Sequence, residues 1–145
     1  MAKVFLSHAS GDGGRAGHLH QWLVGEGHEV FLGQDVREGI LGGQQWERRL
    51  HERLRWADAM VCVVTSAAVA STWCTAQVSI ALSRGSRVLP VRAEPGITHP
   101  LLRSAQYADW AALRFPDCCF RVLLCHKLLT HVLIADFVRC PVAKP

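Results

Sequence analysis

Ala59-Met60-Val61-Cys62-Val63-Val64 is an unbroken apolar run closed by Thr65-Ser66. A short run with no polar alternation fits a strand covered on both faces, as in the centre of a parallel sheet. Toward the N-terminus, Trp46, Leu50, Leu54 and Ala57 lay an apolar stripe at steps of three and four, which predicts an amphipathic helix. Before it lies a polar, glycine-rich loop over 33–43, and before that Glu29-Val30-Phe31-Leu32 reads as a strand. Leu19, Trp22 and Leu23 recur at helical spacing, and Gly25 and Gly27 stop that helix. Lys3-Val4-Phe5-Leu6-Ser7 reads as the first strand, and Gly11, Gly13 and Gly14 mark the loop after it. Toward the C-terminus, a helix is expected over 73–83, closing at Gly85, and a fourth strand over 87–91. Pro90 and Pro95 place the end of that strand near an edge or loop. A short fifth strand is expected within 106–110 and a last helix within 118–138.

Strands alternating with helices predict a parallel sheet with helices on both faces. Right-handed crossovers then lead to a flavodoxin-like, doubly wound α/β domain of five strands. Ligands of such folds sit at the C-terminal ends of the strands, near the point where strand order reverses. The loops there are 7–14, 33–43, 65–71 and 92–99.

The 145 residues are enough for one domain, expected over 1–145, with half of them hydrophobic and 19% charged. The net charge of +4 is mild and its basic residues are scattered, so no nucleic-acid partner is expected. The cysteines are Cys62, Cys74, Cys118, Cys119, Cys125 and Cys140, with no C-x-x-C pair. Cys118, Cys119, Cys125, His126, His131 and Cys140 match no tetrahedral spacing, so no metal is expected. Lys3 is followed at once by the first strand rather than by a leader, which predicts a cytoplasmic, reducing location with free thiols. The most apolar stretch, 120–138, carries Arg121, His126, Lys127, His131 and Asp136, so no membrane span is expected. The absence of G-x-G-x-x-G after the first strand argues against a Rossmann dehydrogenase. Gly11-Asp12-Gly13-Gly14 lacks the lysine and hydroxyl residue of a P-loop.

Four segments together resemble bacterial TIR (Toll/interleukin-1 receptor) domains. They are Val4-Phe5-Leu6-Ser7-His8-Ala9-Ser10; Gly27-His28-Glu29-Val30-Phe31-Leu32 with Asp35, Gly39-Ile40, Gly42 and Trp46; 57–66; and Ser71-Thr72-Trp73-Cys74-Thr75-Ala76-Gln77. The last is similar to the helix holding the family's W-C-x-x-E motif, and Val88-Leu89-Pro90-Val91 and His99-Pro100-Leu101-Leu102 continue the match. The resemblance covers about residues 3 to 110 and is weaker over 111–145, where the family's last helix is more charged. It points to the NAD-cleaving branch, whose members break the nicotinamide–ribose bond and release ADP-ribose or a cyclised relative. NAD is then a substrate, and no cofactor is implied. Such domains commonly serve bacterial antiphage signalling, are often fused to sensor modules, and act when TIR–TIR contacts through the BB loop bring them together. The alternative the family offers is a non-catalytic assembly or adaptor module.

The family's catalytic glutamate aligns with Gln77. Glycosidic cleavage passes through an oxocarbenium-like state that a carboxylate stabilises. An amide keeps the shape but carries no charge. Losing one such preorganised group typically costs ~10²–10³ in rate, so the chain is expected to be inactive or weak. Gln77 is compatible with an engineered replacement that silences an NADase or with a natural pseudoenzyme. Rescue by Glu38, Glu47 or Glu52 is not favoured, because the latter two read as solvated helix surface.

Phe5, Trp46 and Trp73 read either as walls of a nucleotide pocket or as core; Trp73 stands one turn before Gln77, on the same helix face. Ser7, His8, Ser10 and Ser66 follow strand ends, where they either meet phosphate and ribose hydroxyls or cap loops. Asp35 and Arg37 sit in the BB loop and either make inter-domain contacts or stay solvated. His18, His20, His28, His51 and His99 read as surface or packing residues.

Overall fold

A computed structural model describes residues 1–33 and 44–110, the side chains of 44–46 excepted. The expected helix within 118–138 and the residues Asp35, Arg37 and Glu38 lie outside the described residues, and so does the side chain of Trp46. The strands are β1 (Lys3–Ser7), β2 (Glu29–Gly33), β3 (Ala59–Val64), β4 (Arg87–Arg92) and the two-residue β5 (Ala108–Asp109). The helices are α1 (Gly13–Gly25), α2 (Gln44–Trp56), α3 (Ser66–Ala70) and α4 (Thr72–Ser83). One-turn 3-10 helices occupy Ser10–Asp12 and Pro100–Leu102.

The sheet is parallel throughout, in the order β2-β1-β3-β4-β5. This is the doubly wound order expected from the sequence. All six residues of β3 are buried, because strands and helices enclose it on every side. Alternate residues feed two cores. Val4, Leu6, Val61, Val63, Leu89 and Val91 pack with Leu19 and Leu23 of α1. Phe5, Met60, Cys62 and Val64 pack with Leu50 and Leu54 of α2 and with Val78 and Ala81 of α4. The period of two along each strand thus sends successive side chains to opposite helical layers.

Chain reversals follow the local chemistry. Gly27 and Gly85 take φ of 88° and 70° past the ends of α1 and α4. His28 N then donates to Leu23 O, and Ser86 N to Ala81 O, satisfying carbonyls that the helix leaves open. Ser71 caps α4 by accepting from Cys74 N, and Thr65 caps α3 by accepting from Ala68 N. The turn over 65–71, expected as loop alone, therefore contains the short helix α3. Pro90 is buried in β4 opposite Cys62. On the other side β5 meets β4 at Val91 and Arg92, one step beyond the proline.

Candidate functional site

Strand order reverses between β1 and β3; β1 ends there in Ser7, and β3 runs directly into Thr65. Ser7 is the last residue of β1 and lies opposite Cys62 of β3. On its other side it lies opposite Gly33, the last residue of β2. The buried face of α4, formed by Cys74, Gln77, Val78 and Ala81, crosses above these ends. Spacing of three and four along α4 therefore brings Gln77 over Ser7, 70 residues away in sequence.

Ser7 has no exposed surface, and its hydroxyl donates to Gln77 Oε1 at 2.6 Å. The Cys62 side chain hydrogen-bonds the same hydroxyl, while burial and the neighbouring Cys74 push its thiol up to about 12. Cys62 is therefore a neutral thiol and no nucleophile at neutral pH. Gln77 is 6% exposed, and its amide nitrogen faces Gly33. A Cβ built at Gly33 would stand 2.9 Å from the tip of the Phe5 ring and 3.3 Å from Gln77 Nε2. Phe5 is itself buried and packs its ring on Phe31 at 5.6 Å between centroids. Arg53 lies over the Phe31 ring at 4.6 Å. An aromatic pair thus packs beside a glycine, with one amide and one buried hydroxyl next to it.

A second polar set ties together the loops after β1, β3 and β4. Asp12 is buried, accepts from Thr65 Oγ1 at 2.6 Å and pairs with Arg15 at 3.3 Å. Glu94 accepts from Ser66 N at 3.0 Å. That bond, more than the distant Arg15, holds its carboxyl below the usual range. Nothing in the sequence pointed to this clamp, because Asp12 and Thr65 are 53 residues apart.

The expected site residues separate accordingly. Ser7, Phe5 and Gln77 come together. His8 is half-buried and donates from Nδ1 to Ala9 O at 2.7 Å, which directs that nitrogen to its own loop. Ser10 and Ser66 are exposed at the starts of the first 3-10 turn and of α3. Trp73 is 39% exposed near the start of α4. Glu47 and Glu52 lie exposed on α2, with Glu52 held by Arg48 at 3.2 Å. His99 is fully buried, its Nδ1 accepting from Leu101 N and its Nε2 unpartnered. His28 is buried too, and its Nδ1 accepts from Ala2 N. Cys62 and Gly33 were not expected at the site. The glycine's closeness to Phe5 and Gln77 leaves no trace in composition or periodicity. Among the described residues no cluster of His, Cys, Asp and Glu could hold a metal ion, and no helix is long and apolar enough to cross a membrane.

Comparison with known proteins gives the same architecture. A family model described as "TIR domain" matches residues 4–123. The TIR domain of the Toll-related receptor TRR-2 from Hydra magnipapillata is similar in structure, with a TM-score of 0.66 and 18% identity over 90% of this chain and 97% of that one. A prokaryotic SEFIR domain matches with a TM-score of 0.56 and 17% identity over 99% of this chain and 100% of its own. A 2-deoxyribosyltransferase from Bacillus psychrosaccharolyticus matches with a TM-score of 0.60 and 18% identity, over 82% and 95%. At these identities the likeness is one of fold. No curated protein matches the sequence.

Proposed function

Because the chain belongs to the TIR domain family, we propose that it takes NAD at the ends of β1 and β3 and that position 77 decides whether the nicotinamide–ribose bond is cleaved. The observation that carries this reading is the buried Ser7–Gln77 hydrogen bond at the strand-order reversal. It holds the side chain of position 77 at the place where doubly wound folds bind ligands. In the reaction water adds to the anomeric carbon of the ribose as the glycosidic bond breaks. Nicotinamide leaves neutral, and one proton is released with ADP-ribose. The developing positive charge on the ribose needs a carboxylate beside it. Gln77 offers hydrogen bonds but no charge, so this chain is slow or silent. Phe5 walls the site, and His8, Ser10, Asp35, Trp46, Ser66 and Trp73 are the further binding residues of this reading. Self-association through TIR–TIR contacts, in the manner of bacterial antiphage signalling and under a fused or separate sensor module, completes it.

Nicotinamide release by the purified chain and by Gln77→Glu, both concentrated, tests the proposal. The glutamate form is expected to be faster by ~10²–10³ or more. Equal, negligible release by both would end the enzymatic reading. A second reading, a TIR module that assembles without catalysis, is favoured by the neutral side chain at position 77. It would then stand on self-association measured in the same samples.

A further inference from the structure

The sequence offers Ser7 as a ligand contact, yet its side chain has no exposed surface. Its backbone is held on both sides, opposite Cys62 of β3 and Gly33 of β2. Its one hydroxyl proton is spent on Gln77 Oε1 at 2.6 Å, inside the range of an O–H···O bond. Cys62 stands in register with Ser7, and its thiol meets the same hydroxyl. Burial keeps that thiol protonated. Since the serine proton is already given, the thiol is the partner that donates to Ser7 Oγ. Donation thus runs one way, from Cys62 to Ser7 and from Ser7 to position 77. Bonds linked in this way polarise and strengthen one another.

We infer that Ser7 is a positioning residue, which touches no ligand and instead fixes an oxygen of the side chain at position 77 from inside the sheet. The inference rests on the site proposed above and adds the residue that orients its reacting group. For a carboxylate at that position the bond acts on charge and on aim. Position 77 is buried, and burial disfavours the charged form of a carboxyl. A hydroxyl proton directed at one oxygen favours the charged form and offsets that cost. The same bond stops the group from rotating. Its anchor is a strand residue paired on both sides, so the geometry is set by the sheet and not by a loop.

The test needs no turnover. The carboxyl introduced by Gln77→Glu is titrated through the NMR signal of its carbon, alone and combined with Ser7→Ala. The midpoint is expected to rise by about one pH unit when the hydroxyl is removed. Ser7→Cys, which keeps a weaker donor, should fall between. An unchanged midpoint overturns the inference, because a serine that only fills space leaves the charge untouched. If Gln77→Glu releases nicotinamide, adding Ser7→Ala should lower kcat by roughly tenfold to a hundredfold with KM little changed. A raised KM at unchanged kcat would make Ser7 a ligand contact and overturn the inference. A carboxyl that titrates as expected in a protein that releases no nicotinamide supports the role of Ser7 and refutes the enzymatic reading alone. Should Gln77→Glu fail to fold, the intact chain decides. Its Ser7 hydroxyl proton is expected as a slowly exchanging NMR signal close to the Gln77 side-chain amide, and the absence of that signal overturns the inference.

Discussion

Gly33 closes the wall of the site by having no side chain. Any Cβ there runs into the buried Phe5 ring at 2.9 Å and crowds the Gln77 amide at 3.3 Å. The ring is held in the core beside Phe31 and has little room to retreat. Gly33→Ala is therefore expected to cost about 1–3 kcal/mol by overpacking, seen as a lower urea midpoint at unchanged m-value. A midpoint equal to that of the parent would mean that the ring yields freely. At Thr65 one hydroxyl performs two tasks, donating to the buried Asp12 carboxylate and accepting from Ala68 N at the start of α3. Thr65→Val keeps the shape and removes both. The expected loss is about 1–3 kcal/mol, and Asp12→Asn combined with it should add less than the two single losses summed, because the partners are shared.

Among the elements, two histidines anchor segment ends through nitrogens that accept. His28 Nδ1 takes Ala2 N at the entry to β1, and His99 Nδ1 takes Leu101 N at the start of the second 3-10 turn. Burial lowers the pKa of both, and at His28 the chain's N-terminal charge adds to the effect. A protonated ring could accept neither bond. Groups with folded values below the unfolded one contribute stability that is present above about pH 6.5 and lost as the pH falls below it. The melting temperature is expected to drop between pH 7.5 and 5.5, and to drop less in a His28→Gln, His99→Asn double variant. An unchanged slope in that variant would assign the acid sensitivity elsewhere. The elements themselves were largely legible, since Ala59–Val64 is apolar throughout and the stripes of α1 and α2 keep their period. Helix α3 was not, because Ser66–Ala70 is too short to show a period and its start depends on Thr65. Strand β5 shrank to Ala108–Asp109, where pairing with β4 and no local pattern sets its length. At the site, Gln77 was marked by the resemblance of its segment to the W-C-x-x-E motif. The burial of Ser7 and the closeness of Gly33 did not, because both depend on strands that meet only in the folded sheet.

For the molecule as a whole, the proposed catalysis depends on contact between copies. Specific activity of Gln77→Glu should then rise with protein concentration and fall on dilution, whereas a rate per molecule that stays constant would make the site complete within one chain. The sheet adds a constraint of its own. Strand β2 is an edge strand bonded to β1 alone, as β5 is to β4, while β3 lies between β1 and β4. Local opening starts where a segment has fewest neighbours, so amide deuterium uptake should be faster at Val30 and Leu32 than at Val61 and Val63. Gly33 ends an edge strand, whereas Gln77 stands on a helix packed into the interior. A ligand seated over this end of the sheet would act as a stitch along its loose hem, and its binding would be felt as slower exchange along all of β2.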